Sequence, residues 1–459
     1  MQENVKQALI DAVGEESYTD DLIDLVSYSS DSSEHRHRPE GAVWPMSAEQ
    51  VSKILTLANE YRFPVTPRGA GTGFAGGVVP QKGGIVMDMS RMNKILKISI
   101  EDRLVVVQPG VVYAQLGMAI EPFGFFFPPD PASGKVATLG GNVATNAGGL
   151  KGAKYGTTRD YVLGLQVVLP DGSILRTGSN CMKSVSGYDL TRLFVGSEGT
   201  LGVVTEITLK ISPKPPTTSV CTGAFNTIED AGKAISEVMR SGITPSALEI
   251  LDEQCVLALN RDAGLELPEV AAIVLAEADG HTREETSYQI DRVIEVFERN
   301  KVKAIQRAES AEETEKLWTA RKSIGGILFS LSFNMLAEDI AVPISKVPET
   351  LKGIQEISQK HNVLIATLGH LGDGNLHPNI IFDGRDPKES ALAEKAVDDL
   401  FKLAIEKNGT LTGEHGIGLA KAPFMRLEHD PVAMRVMGNI KKMFDPNNIL
   451  NPGKMALEV

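Results

Sequence analysis

The stretch Pro67–Gly77 reads PRGAGTGFAGG, and its glycines at positions 71, 73 and 76 have the G-x-G-x-x-G spacing of a dinucleotide-binding loop. In that type of loop the glycines lead directly into a helix whose amino end faces a pyrophosphate. The following residues, Gly77–Gly84, read GVVPQKGG and cannot begin such a helix. The stretch therefore predicts a loop whose backbone N–H groups converge on an anion, with Arg68 adding a positive charge.

A second run of small residues, Pro128–Gly156, reads PPDPASGKVATLGGNVATNAGGLKGAKYG. Segments 69–84 and 134–156 together hold 14 of the 44 glycines in the chain. Glycine at this density indicates backbone brought close to a ligand. An irregular surface loop is the alternative for either run alone, but two runs in one domain favour a ligand site.

Length and composition limit the class of protein. A chain of 459 residues predicts two or three domains, and 42% hydrophobic with 23% charged residues is typical of folded proteins. The net charge of −13 argues against nucleic acid and anionic membranes as partners. No apolar stretch reaches a membrane span and the first residues lack a signal peptide, so we expect no membrane span and a cytoplasmic location. Three cysteines without a C-x-x-C pair argue against disulfides, a zinc ribbon and an iron–sulfur cluster.

Secondary-structure patterns divide the chain at the proline-rich stretch Ser212–Thr217. The first part reads as α+β. Its predicted elements are a helix over Ala48–Tyr61, capped by Ser47 and Gln50, and strands over Pro64–Pro67, Gly84–Met89, Arg103–Val107, Tyr161–Leu169 and Val203–Ile211. The second part predicts a sheet covered on one face by helices. Its predicted helices are Ile228–Ser241, Thr282–Asn300, Val347–His361 and Pro387–Asn408, and its predicted strands are Ala271–Glu277, Asn362–Leu368 and Leu376–Phe382.

Two histidines lie on either side of a predicted hairpin. A two-residue turn at Asp373-Gly374 would pair His370 directly with His377, with Cβ atoms ~5 Å apart, and Asn379 would share their face. Two such imidazoles can chelate one ion. Glu414 and His415 are candidates for a third ligand, and such a set suits Zn²⁺, Mn²⁺ or Fe²⁺.

A structural, hydrogen-bonded role is the alternative for any single histidine. We expect that role for His281, His361 and His429, which lie outside the predicted hairpin.

Eight motifs occur in a recognisable order along nearly the whole chain. They are PRGAGTG, PDPAS, TLGGNVATNAGG, YVLGLQVVLPDG, GSEGTLGVVTEITL, GHLGDGNLHPN, GEHGIG and NPGK. This order resembles the FAD-linked oxidoreductases of the vanillyl-alcohol oxidase type, and within them the D-2-hydroxy-acid dehydrogenase branch. The resemblance implies an α+β fold with a two-subdomain FAD-binding domain over residues 1–215. It also implies a substrate (cap) domain over 216–410, with an antiparallel sheet covered by helices, and a segment 411–459 that returns to the FAD-binding domain.

The resemblance also implies which residues hold FAD. The pyrophosphate would contact Arg68, Gly69, Ala70, Gly71, Thr72 and Gly73. The remaining cofactor contacts would be Asp130, Ser133, Thr138, Gly141, Asn142, Asn146, Gly148, Glu198, Gly199, Val204 and Asn451. Some relatives attach the flavin covalently through a histidine at the position of Thr72. Threonine lacks a nucleophilic nitrogen, so noncovalent FAD is expected.

For catalysis, the resemblance implies a divalent metal on His370, His377 and Glu414, with His415 as the base. Arg321 would bind the substrate carboxylate, Asn379 would complete the catalytic group, and hydride would pass to flavin N5. Hydroxyglutarate dehydrogenases of this branch place a hydroxyl and a lysine at positions that align with Gly325 and Ala337. Neither residue can hold a second carboxylate, which favours a small monoacid such as D-lactate.

Several alternatives stay open. The chain could be a glycolate oxidase flavin subunit or a D-2-hydroxyglutarate dehydrogenase. A metal oxygenase without flavin is a further alternative, but it would leave both glycine-rich runs unexplained. A non-catalytic flavin subunit is another, but such a subunit should lack the GHLGDGNLH and GEHG motifs, and both are present. No NAD-binding unit is evident. Electrons would therefore pass to quinone, cytochrome, an electron-transferring flavoprotein or a partner redox subunit.

Overall fold

The computed structural model describes residues 1–457, which form two compact units. Unit 1 comprises Met1–Gly148, Thr157–Lys214 and the chain from Glu414 onward, and unit 2 comprises Gly149–Gly156 and Pro215–Gly413. The sequence placed Gly149–Gly156 with the first domain, whereas this segment packs in unit 2. There Tyr155 Oη donates to Asp279 Oδ2 at 2.8 Å, and Lys154 forms an ion pair with the same carboxylate.

Both units mix helices with strands. In chain order, the helices are α1 Glu3–Val13, α2 Leu22–Ser27, α3 Ala48–Tyr61, α4 Tyr113–Ile120, α5 Leu139–Thr145, α6 Gly152–Tyr155, α7 Leu190–Phe194, α8 Ile228–Arg240, α9 Glu253–Ala263, α10 Arg283–Arg299, α11 Ala311–Ser330, α12 Val347–His361, α13 Pro387–Glu406, α14 Met425–Glu428 and α15 Pro431–Phe444. The strands are β1 Tyr18–Thr19, β2 Gly41–Val43, β3 Val65–Arg68, β4 Ile85–Asp88, β5 Ile95–Ser99, β6 Leu104–Val107, β7 Phe125–Phe126, β8 Val162–Val168, β9 Ile174–Gly178, β10 Val203–Lys210, β11 Ser212–Pro213, β12 Thr217–Phe225, β13 Ala247–Asp252, β14 Ala272–Gly280, β15 Ala304–Arg307, β16 Asn334–Ala337, β17 Ile340–Ala341, β18 Leu364–His370 and β19 Asn375–Phe382.

Helix α3 begins and ends where the sequence predicted. Ser47 Oγ accepts a hydrogen bond from Gln50 N at 3.3 Å, which satisfies one of the free N–H groups of the first turn. The Gln50 side chain accepts from Met46 N at 2.7 Å rather than from the cap residue itself. Val51 and Ile54 are fully buried on the inner face of the helix.

Unit 1 contains a four-stranded sheet in the order β1-β2-β4-β3 and a five-stranded antiparallel sheet in the order β5-β6-β10-β8-β9. In the smaller sheet β2, β4 and β3 are parallel. Strand β3 ends at Arg68, so the first glycine-rich loop starts from the edge of this sheet. The C-terminal segment pairs with the same strand, because Val65 N donates to Ile449 O at 2.7 Å and Asn451 N donates to Val65 O at 2.9 Å.

Unit 2 is built on an antiparallel sheet in the order β15-β12-β14-β13-β18-β19-β16, with β17 also paired to β19. Helices cover both faces, where the sequence predicted one. On one face α10 packs Phe297 against Phe225 with ring centroids 5.5 Å apart. On the other face, α9 and α11 form an apolar cluster with Leu251, Ala366 and Leu368. Strands β12 and β13 were not predicted from the sequence.

The hairpin β18–β19 forms, but the predicted register is wrong. His370 lies opposite Asn375, and His377 lies opposite Leu368. Neighbouring strands hold the loop open: Leu371 N donates to Leu248 O at 2.7 Å, and Gly374 O accepts from Val342 N at 3.0 Å. The four residues 371–374 therefore form the connection in place of a two-residue turn.

Among the described residues, no helix has both the length and the apolar composition needed to cross a membrane.

Candidate functional site

Both glycine-rich runs of unit 1 line one cavity of about 220 Å³. Most of the residues expected to contact a cofactor are in its lining: Arg68, Gly69, Ala70, Gly71, Thr72, Gly73, Ser133, Thr138, Gly141, Asn142, Glu198, Gly199 and Val204. Four expected residues are not part of the lining: Asp130, Asn146, Gly148 and Asn451. Asn451 instead supports the wall, since its Nδ2 donates to Gly77 O at 2.8 Å and to Glu198 O at 2.7 Å.

The first glycine loop requires residues without side chains at two positions. A Cβ on Gly69 would lie 2.2 Å from Thr138 Oγ1, and Gly71 has a φ of +70° with the Arg68 guanidinium directly beside it. Thr138 in turn caps α5, because its Oγ1 accepts from Gly141 N at 3.3 Å. The two glycine-rich runs thus touch each other at this wall, and only glycine allows that approach.

The polar groups of this cavity fit a dinucleotide cofactor. Asn142 is buried, and its Nδ2 has no hydrogen-bond partner among the described residues, so a donor remains for a ligand. Arg68 is held by a hydrogen bond from Nη1 to Ser30 O at 2.8 Å, and burial lowers the pKa of its guanidinium. A half-buried cation next to a loop of backbone N–H groups is suited to a pyrophosphate.

Glu198 connects this cavity to the segment that carries Glu414 and His415. Its carboxylate accepts from Ile417 N and Gly418 N, each at 2.7 Å. Burial raises the pKa of Glu198, although these two hydrogen bonds oppose the shift. Glu414 and His415 also line the cavity, and the His415 ring lies 5.0 Å from the Phe74 ring.

Unit 2 carries a row of buried polar side chains on one sheet face. The His370 and His377 rings lie 5.0 Å apart, at an interplanar angle of 79°. They are neighbours because the observed register places them diagonally on the same face of the hairpin. Asn379 is on that face too, and its Nδ2 donates to His377 O at 2.8 Å and to Ala366 O at 3.2 Å.

A carboxylate that the sequence did not single out joins this row. Glu249 Oε1 lies 2.8 Å from His370 Nδ1, and Glu249 Oε2 accepts from Arg321 Nε at 2.8 Å. Burial would raise the pKa of Glu249, but the adjacent His370 and Arg321 hold it below its ordinary value. A carboxylate in the middle of the buried strand ALEILD was the available signal, and β13 itself was not predicted.

A second unpredicted carboxylate, Asp339, contacts the other histidine. Asp339 Oδ1 lies 3.7 Å from His377 Nδ1, while its Oδ2 accepts from Thr412 Oγ1 at 2.7 Å and from Gly413 N at 3.0 Å. Gly413 is the last residue of unit 2, and Glu414 follows it in the chain.

Comparison with known proteins agrees with a cavity in unit 1 that binds a dinucleotide cofactor. The family description "FAD binding domain" matches residues 39–178, and "FAD linked oxidases, C-terminal domain" matches residues 214–455. Glycolate oxidase subunit GlcD of Bacillus subtilis (strain 168) is 41% identical over 454 residues, which cover 98% of this chain and 96% of that protein. The mitochondrial D-lactate dehydrogenase [cytochrome] of Arabidopsis thaliana is 37% identical over 421 residues, covering 91% of this chain and 73% of that protein.

Among solved structures, p-cresol methylhydroxylase with substrate bound aligns with a TM-score of 0.83 and 20% identity over 99% of this chain and 96% of that one. At that identity the likeness concerns the fold, and it confirms the expected architecture. The chain therefore belongs to the FAD-linked oxidases and is an FAD-dependent oxidoreductase with the fold of the vanillyl-alcohol oxidase type.

Proposed function

We propose that this protein catalyses the FAD-dependent, metal-assisted dehydrogenation of a small D-2-hydroxy acid, D-lactate first of all, to the 2-oxo acid. The observation that carries the proposal is the row on one sheet face of unit 2, in which Arg321, a cation for a carboxylate, shares Glu249 with His370, one of two adjacent imidazoles. Relatives named glycolate oxidase subunit and D-lactate dehydrogenase support the substrate class.

The chain's residues fit two bound groups. FAD would be held by the cavity lining of unit 1 together with Asp130, Asn146, Gly148 and Asn451, and without a covalent bond because position 72 is threonine. The metal would be held by His370, His377 and Glu414, a set that suits Zn²⁺, Mn²⁺ or Fe²⁺. When bound, FAD supplies the acceptor for the two electrons that leave the α-carbon, and the divalent metal supplies positive charge for the substrate oxygens.

Glu414 as third ligand is supported by chain connectivity. Asp339 contacts His377 on one side and the Gly413 N–H on the other. The residue after Gly413 is thereby tied to a backbone that is fixed beside the second histidine. Glu414 would then join His370 and His377 as the third ligand, and two histidines with one carboxylate form a set that suits a divalent metal.

The remaining roles follow from hydrogen-bonding capacity. Arg321 binds the substrate carboxylate through the guanidinium edge that Glu249 does not use, which keeps one face of the α-carbon in place. His415, as a neutral imidazole, accepts the proton of the α-hydroxyl group at a ring nitrogen. Asn379 keeps the backbone of His377 in register through its amide N–H groups.

Substrate size is the finer part of the proposal. Ala337 lies opposite Asn379 in the sheet, and Gly325 lies one helical turn after Arg321, with no atom within 4 Å of a Cβ built on it. Neither offers a cation to a second carboxylate, and an unpaired buried carboxylate costs several kcal/mol. D-Lactate should therefore be oxidised in preference to D-2-hydroxyglutarate. A glycolate oxidase flavin subunit and a hydroxyglutarate dehydrogenase are the alternatives.

An anaerobic substrate panel tests the proposal without knowledge of the electron acceptor. D-Lactate, glycolate, D-2-hydroxyglutarate and L-lactate are each mixed with the holoenzyme, and bleaching of the flavin absorbance is followed over time. The highest apparent second-order rate is expected with D-lactate. A higher rate with hydroxyglutarate would contradict the size argument, and bleaching by none of them would contradict the reaction class.

The natural acceptor is proposed to be an electron-transferring flavoprotein, a quinone or a partner redox subunit, and a cytoplasmic location stays a prediction.

A further inference from the structure

Glu249 is almost fully buried within the polar row of unit 2, and the proposed reaction assigns it no step. It is 1% exposed and lies in β13, between a helix residue and a residue of the adjacent strand. Arg321 Nε donates to Glu249 Oε2 at 2.8 Å, and Arg321 Nη2 lies 2.7 Å from the same oxygen in an ion pair. On the other side His370 Nδ1 lies 2.8 Å from Oε1 and 3.0 Å from Oε2.

We infer that Glu249 is a positioning residue that determines which ring nitrogen of His370 is available to a metal and which edge of Arg321 is available to the substrate carboxylate. This role rests on the proposed function and deepens it. One buried carboxylate then fixes the spacing between the metal ligand and the carboxylate anchor.

The effect on His370 follows from hydrogen-bond chemistry. An ionised carboxylate accepts hydrogen bonds and cannot donate them. Beside an ionised Glu249, His370 Nδ1 carries the proton that faces the carboxylate, and a neutral ring then has its lone pair on Nε2. Metal-binding histidines usually donate their second nitrogen to a carboxylate in this way, which fixes the tautomer and the ring orientation.

The effect on Arg321 follows from the two donors already engaged. Nε donates to Glu249 Oε2 and Nη2 lies 2.7 Å from the same oxygen, so this edge of the guanidinium faces Glu249. Nη1 makes no hydrogen bond with any residue in the described part of the chain. A substrate carboxylate is then met by the Nη1/Nη2 edge, whose direction is set by the buried partner behind it.

The variant Glu249→Gln separates the two effects. The amide oxygen can still accept from Arg321, but the amide NH₂ can only donate, so His370 Nδ1 becomes the acceptor and the proton moves to Nε2. Titrated with Zn²⁺ or Mn²⁺ alone against a competing chelator, the variant should bind about 10–100-fold more weakly than the wild type, with unchanged FAD content. At saturating metal, kcat should recover while KM for D-lactate stays raised, because a neutral amide orients Arg321 less firmly.

Two further variants keep the test decisive. Asp252→Asn changes another buried carboxylate of the same strand. Asp252 accepts hydrogen bonds from Cys255 N and Thr367 N, and not from His370 or Arg321. The metal affinity of this variant should therefore match that of the wild type. Glu249→Asp keeps the charge on a side chain shorter by one methylene and should be intermediate in metal affinity.

Wild-type metal affinity together with wild-type KM in Glu249→Gln would overturn the inference. If that variant does not fold, as judged by FAD content and circular dichroism, the same result in Glu249→Asp would overturn it. Failure of the proposed function looks different: the wild type itself would then bind no metal, or no 2-hydroxy acid would bleach its flavin.

Discussion

At the scale of single residues, His370 and His377 differ in the carboxylate that lies beside each ring. His370 Nδ1 faces Glu249. His377 Nδ1 lies 3.7 Å from Asp339 Oδ1, and Asp339 also accepts a hydrogen bond from Gly413 N, the last residue of unit 2. Both rings are buried, so neither is a solvated surface histidine. A pair of buried imidazoles 5.0 Å apart, each with a carboxylate beside it, is typical of metal sites.

The variant His377→Ala tests the proposed metal site directly. Removal of one of three proposed ligands should lower metal affinity by more than about tenfold and slow flavin reduction in parallel, with FAD content unchanged. Elemental analysis beside an absorbance spectrum measures both quantities. His361→Ala is the matched control. His361 is the last residue of α12, and its Nε2 lies 2.8 Å from Asp399 Oδ2 rather than beside a proposed metal ligand. Full metal occupancy and normal turnover in His377→Ala would mean that these histidines are structural.

The variant His415→Asn separates the proposed base from the proposed ligands. Loss of a proton acceptor typically slows a reaction by ~10²–10⁴-fold, and the variant should still bind metal, FAD and substrate. Single-turnover reduction of the flavin by D-lactate measures the effect. Should the variant lose its metal and regain normal rates when metal is added back, His415 would be a ligand, and the roles within Glu414-His415 would be exchanged.

At the scale of elements, the first glycine loop and the start of α5 form the tightest part of the cofactor cavity. Gly69→Ala would place a methyl group 2.2 Å from Thr138 Oγ1 and would force this capping side chain to rotate. Loss of an N-cap costs about 1 kcal/mol, so we expect at least a fivefold loss of FAD affinity, measured by flavin fluorescence. Gly117→Ala in α4 is the control, since no atom lies within 4 Å of its added Cβ. Equal FAD affinity in both variants would refute the close-contact argument.

The start of α9 provides a pH test. Burial raises the pKa of Asp252 to about 6, from an ordinary value of 3.8. Between these two pH values the folded state binds more protons than the unfolded state, so this group lowers the free energy of unfolding as pH rises from about 4 to about 6. The stability of the wild type relative to Asp252→Asn should fall across that window and level off above it. Urea unfolding at several pH values measures the difference, and a difference independent of pH would contradict the prediction.

At the scale of the whole molecule, the cofactor cavity lies within unit 1, so FAD should stabilise that unit by mass action. Position 72 is threonine, and acid precipitation should therefore release all the flavin into the supernatant. Re-addition of FAD at about 100 times its Kd to the apoprotein should then add about 2.7 kcal/mol of stability. Thermal unfolding with and without FAD measures this shift, with Gly69→Ala as the control that responds less. Yellow colour left in the acid pellet would contradict the noncovalent assignment.

Local patterns in the sequence were sufficient for many elements and for the cofactor loops. The cap of α3 and the two glycine-rich runs depend on residues close together in the chain, where backbone sterics and hydrogen-bond capacity act without help from the rest of the fold. The order of the motifs added the family, which the comparisons confirmed. The assignment of individual site residues stays a prediction.

Only the tertiary structure decided the register of the β18–β19 hairpin and the partners of its histidines. A two-residue turn was the locally favoured solution, but hydrogen bonds from Leu371 to Leu248 and from Val342 to Gly374 opened it and shifted the pairing by two residues. Glu249 reaches His370 and Arg321 across 121 and 72 positions of sequence. Such contacts depend on which strands become neighbours, and a single sequence does not encode that in any local pattern.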